Sequence, residues 1–192
     1  MSDGGRDLAR DEILQLLTEV GQVLHEQGLE ANLYVVGGAA MALEFDARRV
    51  TRDIDASLRS GRDGFWDAVA LVAEQHGLSP TWLNTQATAF LTNEPDDESA
   101  EINLPGLRVT VASPDHLIAM KLRAFRDRDM DDLEVLFRHV GITDPQQAAD
   151  IHNRLFDDSY IGYDAPEEAL YAAEQVFARA AAQGRPLPRT HQ

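Results

Sequence analysis

The chain has no cysteine. That excludes a disulfide framework and any thiolate metal site. It has no apolar run of membrane-spanning length, and residues 1–10 carry no signal-peptide pattern. The expectation is a cytoplasmic protein without a membrane partner. Basic residues are scarce: 17 Lys and Arg stand against 33 Asp and Glu, a formal charge of −16. So acidic a body repels polyanions through its overall field, which argues against broad nucleic-acid binding. Lysine is scarcer still, because Lys121 is the sole one. An ammonium is a compact point charge and a guanidinium a planar fork. Lys121 is therefore either a position that needs the compact cation or a chance survivor in an arginine-using chain. The six histidines show no ligand spacing, and His116 reads as solvent-exposed. There is no Gly-x-Ser-x-Gly, no Walker lysine and no Cys-His pair.

What is present begins with size. The 192 residues suffice for one domain, or one domain with a helical appendage. The cations cluster: Arg48, Arg49, Arg52, Arg59 and Arg62 form one group, and Lys121, Arg123, Arg126 and Arg128 another. A local basic site on an acidic body fits this pattern, as do ordinary solvated arginines.

Residues 34–58 organise the chain. An apolar strand over 33–36 ends in Gly37-Gly38, a short apolar helix follows over 39–45, and after a basic turn a second strand opens with Asp53 and Asp55. Side chains two apart on a strand share a face. Two such carboxylates repel unless a cation lies between them, and a hard divalent metal is the usual one, Mg²⁺ where phosphates are handled. A glycine pair between strand and helix lets backbone N–H groups approach a phosphate. It serves a tight turn equally well. The order is more telling than either motif: it sets a phosphate-holding backbone beside two same-face carboxylates.

The rest of the pattern is a mixed α/β part followed by helices. Apolar spacing predicts helices over 7–27 and 63–76, the latter with Phe65, Trp66, Val69, Leu71 and Val72 on its core face. Residues 88–92 read as a short strand. Residues 101–104 and 107–112 read as a hairpin about Pro105-Gly106. Ser113-Pro114-Asp115 carries an N-cap serine and a first-turn proline, so a helix starts there. Further helices are expected over 131–140, after Thr143-Asp144-Pro145, and from Asp164-Ala165-Pro166 to about Ala182. The division expected is a core over 1–112 with an N-terminal helix, a helical part over 113–185 packed on it, and a disordered tail over 186–192.

Gly37-Gly38 through Asp53-Ile54-Asp55 resembles the signature of the nucleotidyltransferase superfamily, the polymerase-β-like fold. Residues 117–133, from Leu117 through Lys121, Arg128-Asp129 and Asp132-Leu133, resemble the second motif of the AbiEii and MenT-like toxin nucleotidyltransferases and their uncharacterised bacterial relatives. The resemblance covers about 32–142. It implies an α+β fold: a small mixed sheet with flanking helices, then a helical C-terminal part. It implies an enzyme that moves an NMP from an NTP to an acceptor hydroxyl with Mg²⁺ or Mn²⁺. It also implies the toxin half of a toxin–antitoxin pair, with a cognate antitoxin partner and RNA such as the tRNA 3′ end as acceptor. Position by position, Asp53 and Asp55 bind metal and Gly37, Gly38 and Arg52 bind the nucleotide. Lys121 orients triphosphate oxygens. Asp132, or its neighbour Asp131, matches the late aspartate, and Asp129 the aspartate of Arg-Asp. A third carboxylate has no clear motif; Glu101 is a better candidate than Glu98. Two rivals stay open. One is a nucleotidyltransferase acting on a small cationic acceptor of the aminoglycoside kind, which the acidic charge favours. The other is a non-catalytic binding partner of the same fold.

Overall fold

The computed structural model describes residues 6–46, 48–156 and 166–188. They fall into two compact units. The first comprises Met1–Ala89 with Glu98–Ala112, and the second Phe90–Asp97 with Ser113–Gln192.

The first unit is a five-stranded sheet with helices. Helix α1 (Arg10–Glu26) buries Ile13, Leu16, Leu17, Val20 and Leu24, which recur at helical spacing. Strand β1 (Ala31–Val35) leads into α2 (Gly37–Ala40), which loosens into a π-helical turn (Met41–Phe45). Then come β2 (Ile54–Ser60), α3 (Phe65–His76), β3 (Leu83–Asn84) and a 3₁₀ turn (Gln86–Phe90). The hairpin β4 (Ala100–Leu104) and β5 (Leu107–Val111) closes the sheet. The strand order is β3-β2-β1-β5-β4. β1 lies parallel to β5 and antiparallel to β2.

The sheet is two-faced because its strands alternate. Leu33, Val35, Ile54, Ala56, Leu107, Val109 and Val111 are buried. The intervening positions are polar: Asp55 and Ser57 on β2, Arg108 and Thr110 on β5, Glu101 and Asn103 on β4. Gly21 brings α1 close to the hairpin, since a Cβ there would lie 2.4 Å from the Pro105 carbonyl oxygen. His76 Nε2 and Glu19 Oε2, 2.5 Å apart, join α3 to α1. Glu19 also accepts from Gln15, and that bond and the His76 contact hold its carboxyl below the usual range, against the opposing effect of burial.

Two expectations are overturned here. Residues 88–92 are not a strand. The Thr88 N–H and hydroxyl both bond the Thr85 carbonyl, at 3.1 and 2.6 Å, so local bonds satisfy the segment as a turn. The strand in this region is β3, two residues parallel to the start of β2. On α3, Trp66 and Leu71 are 38% and 41% exposed. The buried stripe is Phe65, Ala68, Val69, Val72 and Ala73, and the small alanines complete the helical period where larger residues were expected.

The second unit is helical: α4 (Pro114–Ala124), α5 (Asp129–Val140), α6 (Pro145–Leu155) and α7 (Pro166–Ala182). The caps read from sequence are present. Ser113 accepts from the His116 N–H, and Asp144 with Gln147 forms a capping box. α4 packs against α5, α6 and α7. Asp164 and Ala165, where the last helix was expected to begin, lie outside the described residues, as do 189–192 of the expected tail. No helix among the described residues is long and apolar enough to cross a membrane.

Candidate functional site

In the first unit the glycine pair and the aspartates meet. Val36 is extended, and its N–H donates to the Asp55 carbonyl at 2.9 Å, which ties the end of β1 to the start of β2. Gly37 has φ +65°, where a side chain is strained. A Cβ there would also sit 3.2 Å from Asp55 Oδ2. Glycine at 37 thus brings bare backbone against the Asp55 carboxylate. Gly38 is confined from the other side, since a Cβ would lie 2.8 Å from Thr51 Oγ1 and 4.0 Å from Arg49 Nη2.

The aspartates follow the alternation. Ile54 is fully buried, and Asp53 and Asp55 on either side are half-buried. Asp53 stands one residue before β2, not within it. Its carboxylate accepts from Asn84 Nδ2 at 3.3 Å, and its carbonyl accepts from the Thr51 hydroxyl at 3.0 Å. Asn84 reaches it because β3 pairs Asn84 with Asp55. The segment before β2 is anchored by two bonds between Leu8 and Thr51, at 2.6 and 3.0 Å.

This set fits a hard divalent cation. Asp53 and Asp55 flank the buried Ile54, and the Asn84 amide that donates to Asp53 is neutral, so this bond leaves the Asp53 charge in place. The glycine backbone leaves room beside Asp55. Oxygen donors of this kind suit Mg²⁺ or Mn²⁺, with water and phosphate oxygens completing the shell. No group of three or more acidic or histidine side chains stands in ligand geometry among the described residues.

Three sequence candidates sit differently from expectation. Glu101 is exposed on β4, and β1 and β5 intervene between β4 and β2. Three strand spacings are about 14 Å, too far for one ion to touch Glu101 and Asp55, so Glu101 is not brought to the pair. Glu98 lies outside any strand, before β4. Arg52 is 77% exposed and lies 3.7 Å from Asp7. The guanidinium beside the glycine pair belongs instead to Arg49, whose Nη1 also donates to the Val50 carbonyl at 3.2 Å. Arg49 was one of a basic cluster in the sequence, with nothing to single it out. Asn84 carried no signal at all, because its place depends on a strand pairing.

In the second unit, Lys121, Asp129 and Asp132 meet. Lys121 Nζ donates to Asp129 Oδ1 at 3.0 Å and to Asp132 Oδ2 at 2.8 Å. All three side chains are at least nine-tenths buried. Asp129 Oδ2 also accepts from the Arg126 N–H at 3.3 Å, which closes the turn between α4 and α5. Asp131 points elsewhere, 3.3 Å from Arg179 on α7. Of the two adjacent aspartates, then, Asp132 is the one beside the lysine.

His116 is buried, against expectation, at 6% exposure. Its Nδ1 lies 3.2 Å from Asp96 and 3.2 Å from the Ser113 hydroxyl, and its Nε2 lies 3.4 Å from the Glu94 carbonyl. Asp96 also accepts from the Ser113 N–H at 2.9 Å. The acidic loop before β4 thereby supplies partners that the sequence around His116 does not contain.

Comparison with known proteins agrees with this fold. No curated protein matches the chain. A crystal structure of an antigenic nucleotidyltransferase-like protein from Paracoccidioides brasiliensis is similar over 96% of this chain and 97% of that one, with a TM-score of 0.52 and 13% identity. At that identity the likeness is one of fold. A family model described as nucleotidyltransferase of unknown function (DUF6036) matches residues 11–179. Strand, glycine turn and paired aspartates thus stand inside a nucleotidyltransferase-like fold, and the chain belongs to the DUF6036 nucleotidyltransferase family.

Proposed function

We propose that the protein is a Mg²⁺- or Mn²⁺-dependent nucleotidyltransferase that moves an NMP from an NTP to an acceptor hydroxyl. The observation that carries this is the contact of Gly37 with Asp55: an unhindered backbone lies against one of two same-face carboxylates. Asp53 and Asp55 hold the metal, which when bound supplies charge neutralisation at the triphosphate. The Gly37 and Gly38 backbone and the Arg49 guanidinium hold phosphate oxygens. The neutral Asn84 amide orients Asp53 without cancelling its charge. In the transfer, the acceptor oxygen bonds to the α-phosphorus as the bond to pyrophosphate breaks. Lys121 and Asp132 belong to the second motif of the resemblance, and within the second unit the ammonium is held between the Asp129 and Asp132 carboxylates.

The acceptor we propose is RNA, such as a tRNA 3′ end, in a toxin with a cognate antitoxin; the resemblance of residues 117–133 supports it. The charge of −16 favours a second reading, a small cationic acceptor. Purified protein is incubated with each labelled NTP, Mg²⁺ and RNA. Incorporation is expected in wild type and a loss of at least about 100-fold in Asp53→Asn, as removal of several kcal/mol of charge stabilisation requires. No incorporation into RNA or small acceptors by wild type, or full activity in Asp53→Asn, overturns the reading. A steep fall of acceptor binding with salt selects RNA over the cationic small molecule.

A further inference from the structure

The two edges of the sheet are unlike. β3 is two residues long, whereas β4 runs over five, in unbroken register with β5. Which backbone groups of β4 face outward follows from β5. The Gly106 carbonyl accepts from the Ala31 N–H, and the Ala112 N–H donates to the Val35 carbonyl, each at 3.0 Å, so the even-numbered residues of β5 turn toward β1. Leu107, Val109 and Val111 therefore bond their partners Leu104, Ile102 and Ala100 on β4. The backbone N–H and C=O groups of Glu101 and Asn103 point away from the sheet. Neither residue has a hydrogen bond on that side among the described residues. Unpaired edge groups of this kind are a template for another strand.

Two features of β4 select the strand that fits. One is apolar. Ala100, Ile102 and Leu104 continue the buried face of Leu107, Val109 and Val111, yet are only half-buried, since no strand lies beyond them. The other is charge. Glu101 and Asn103, exposed on the opposite face, are a carboxylate and an amide two residues apart. An antiparallel copy of β4 centred on Ile102 sets each Glu101 against an Asn103, an acceptor against a donor. The outward N–H and C=O groups of these residues then bond one another, and the two Ile102 side chains meet in the closer, non-hydrogen-bonded position. Other registers fail. Centring on Glu101 opposes two carboxylates. Centring on Asn103 sets Pro105, which has no N–H, against Glu101. A slip of one residue exchanges the faces.

We propose that β4 is a homodimer interface, in which two copies of the chain join by antiparallel β4–β4 pairing about a two-fold axis through the Ile102 pair. The strand is self-complementary in that register, as a two-fold interface requires. Two sheets become one, and the aspartate pairs of the two copies stand about 34 Å apart along it, on the same face. The pairing does not rest on the transfer reaction.

The chain has no cysteine, so Ile102→Cys introduces a single thiol. The Cα atoms of a non-hydrogen-bonded antiparallel pair are about 4.5 Å apart, within disulfide reach. Mild oxidation is expected to link Ile102→Cys into a covalent dimer at least about tenfold faster than Asn103→Cys, whose counterpart lies opposite Glu101 and not opposite itself. Sedimentation of the whole wild-type chain over a range of concentrations is expected to show a dimer. Asn103→Glu, which opposes carboxylates twice, is expected to raise the dimer Kd about tenfold. Glu101→Pro removes an outward N–H that the fold does not use and is expected to leave a monomer. Circular dichroism checks that each variant is folded; if Glu101→Pro is not, Asn103→Glu and the cross-link decide. A wild-type chain that stays monomeric, its edge left for a strand of another protein, overturns the proposal. So does a dimer that the folded variants leave unchanged, or cross-linking at equal rates through positions 102 and 103.

Discussion

Replacing Lys121 with methionine removes one charge from a buried triad. The side chains of Lys121, Asp129 and Asp132 are 7%, 10% and 6% exposed. With the ammonium gone, both carboxylates lose a charge-assisted bond and gain no water. Methionine matches the aliphatic length of lysine, so the change in packing is small. Breaking a buried ion pair by deleting one partner costs about 3–5 kcal/mol. For a chain of this size each kcal/mol lowers Tm by roughly 2–4 °C, so a fall of about 6–20 °C is expected. The assay is chemical and thermal unfolding of Lys121→Met beside Lys121→Met/Asp129→Asn/Asp132→Asn. The triple variant should recover most of the loss, because it removes the stranded charges and not merely their partner. A loss below about 1 kcal/mol in Lys121→Met would refute the reasoning, since a triad that cheap to break is not desolvated. A triple variant no better than the single one would refute it too.

Two further outcomes follow from the first unit. Gly37→Ala is expected to lose about 1–2 kcal/mol in urea unfolding, since φ there is +65° and the new Cβ crowds Asp55; stability equal to wild type would mean that the turn relaxes freely. Glu19→Gln is expected to destabilise at neutral pH, with the difference from wild type vanishing in acid. The sign follows from linkage: the folded carboxyl is lowered, so its contribution is present above the unfolded value and is lost as pH falls through the folded one. Unfolding curves of both proteins across that range check it, and a difference independent of pH counts against the Glu19–His76 contact as its source.

Much of the fold was legible because its signals are local. The Pro105-Gly106 turn, the Ser113-Pro114 cap and the alternation about Ile54 need only neighbouring residues, and all three stand in the structure. The misses share a cause as well. Trp66 and Leu71 were assigned to the core by hydrophobicity, yet Ala68 and Ala73 complete the packed face of α3 beside Phe65, Val69 and Val72. Residues 88–92 have strand-like composition but find no strand to pair with, and Thr88 turns to the Thr85 carbonyl. His116 looked solvated because its partners Asp96 and Glu94 come from a loop some twenty residues earlier.

The sequence by itself determined the main helices and the β4–β5 hairpin, where the glycine turn falls, and the alternation of Asp53 and Asp55 about the buried Ile54. Those properties depend on period, caps and backbone freedom over a few residues. Tertiary structure decided the strand order, and with it everything that depends on distance across the sheet. It set Glu101 three strands away from Asp55 and brought Asn84 to Asp53. It also gave the single lysine a structural reason. Between two buried carboxylates there is a place for a compact ammonium with freely rotating donors, where a planar guanidinium would not fit in the same way. No local pattern carries such information, because strand pairing and burial join residues whose separation along the chain says nothing about their separation in space.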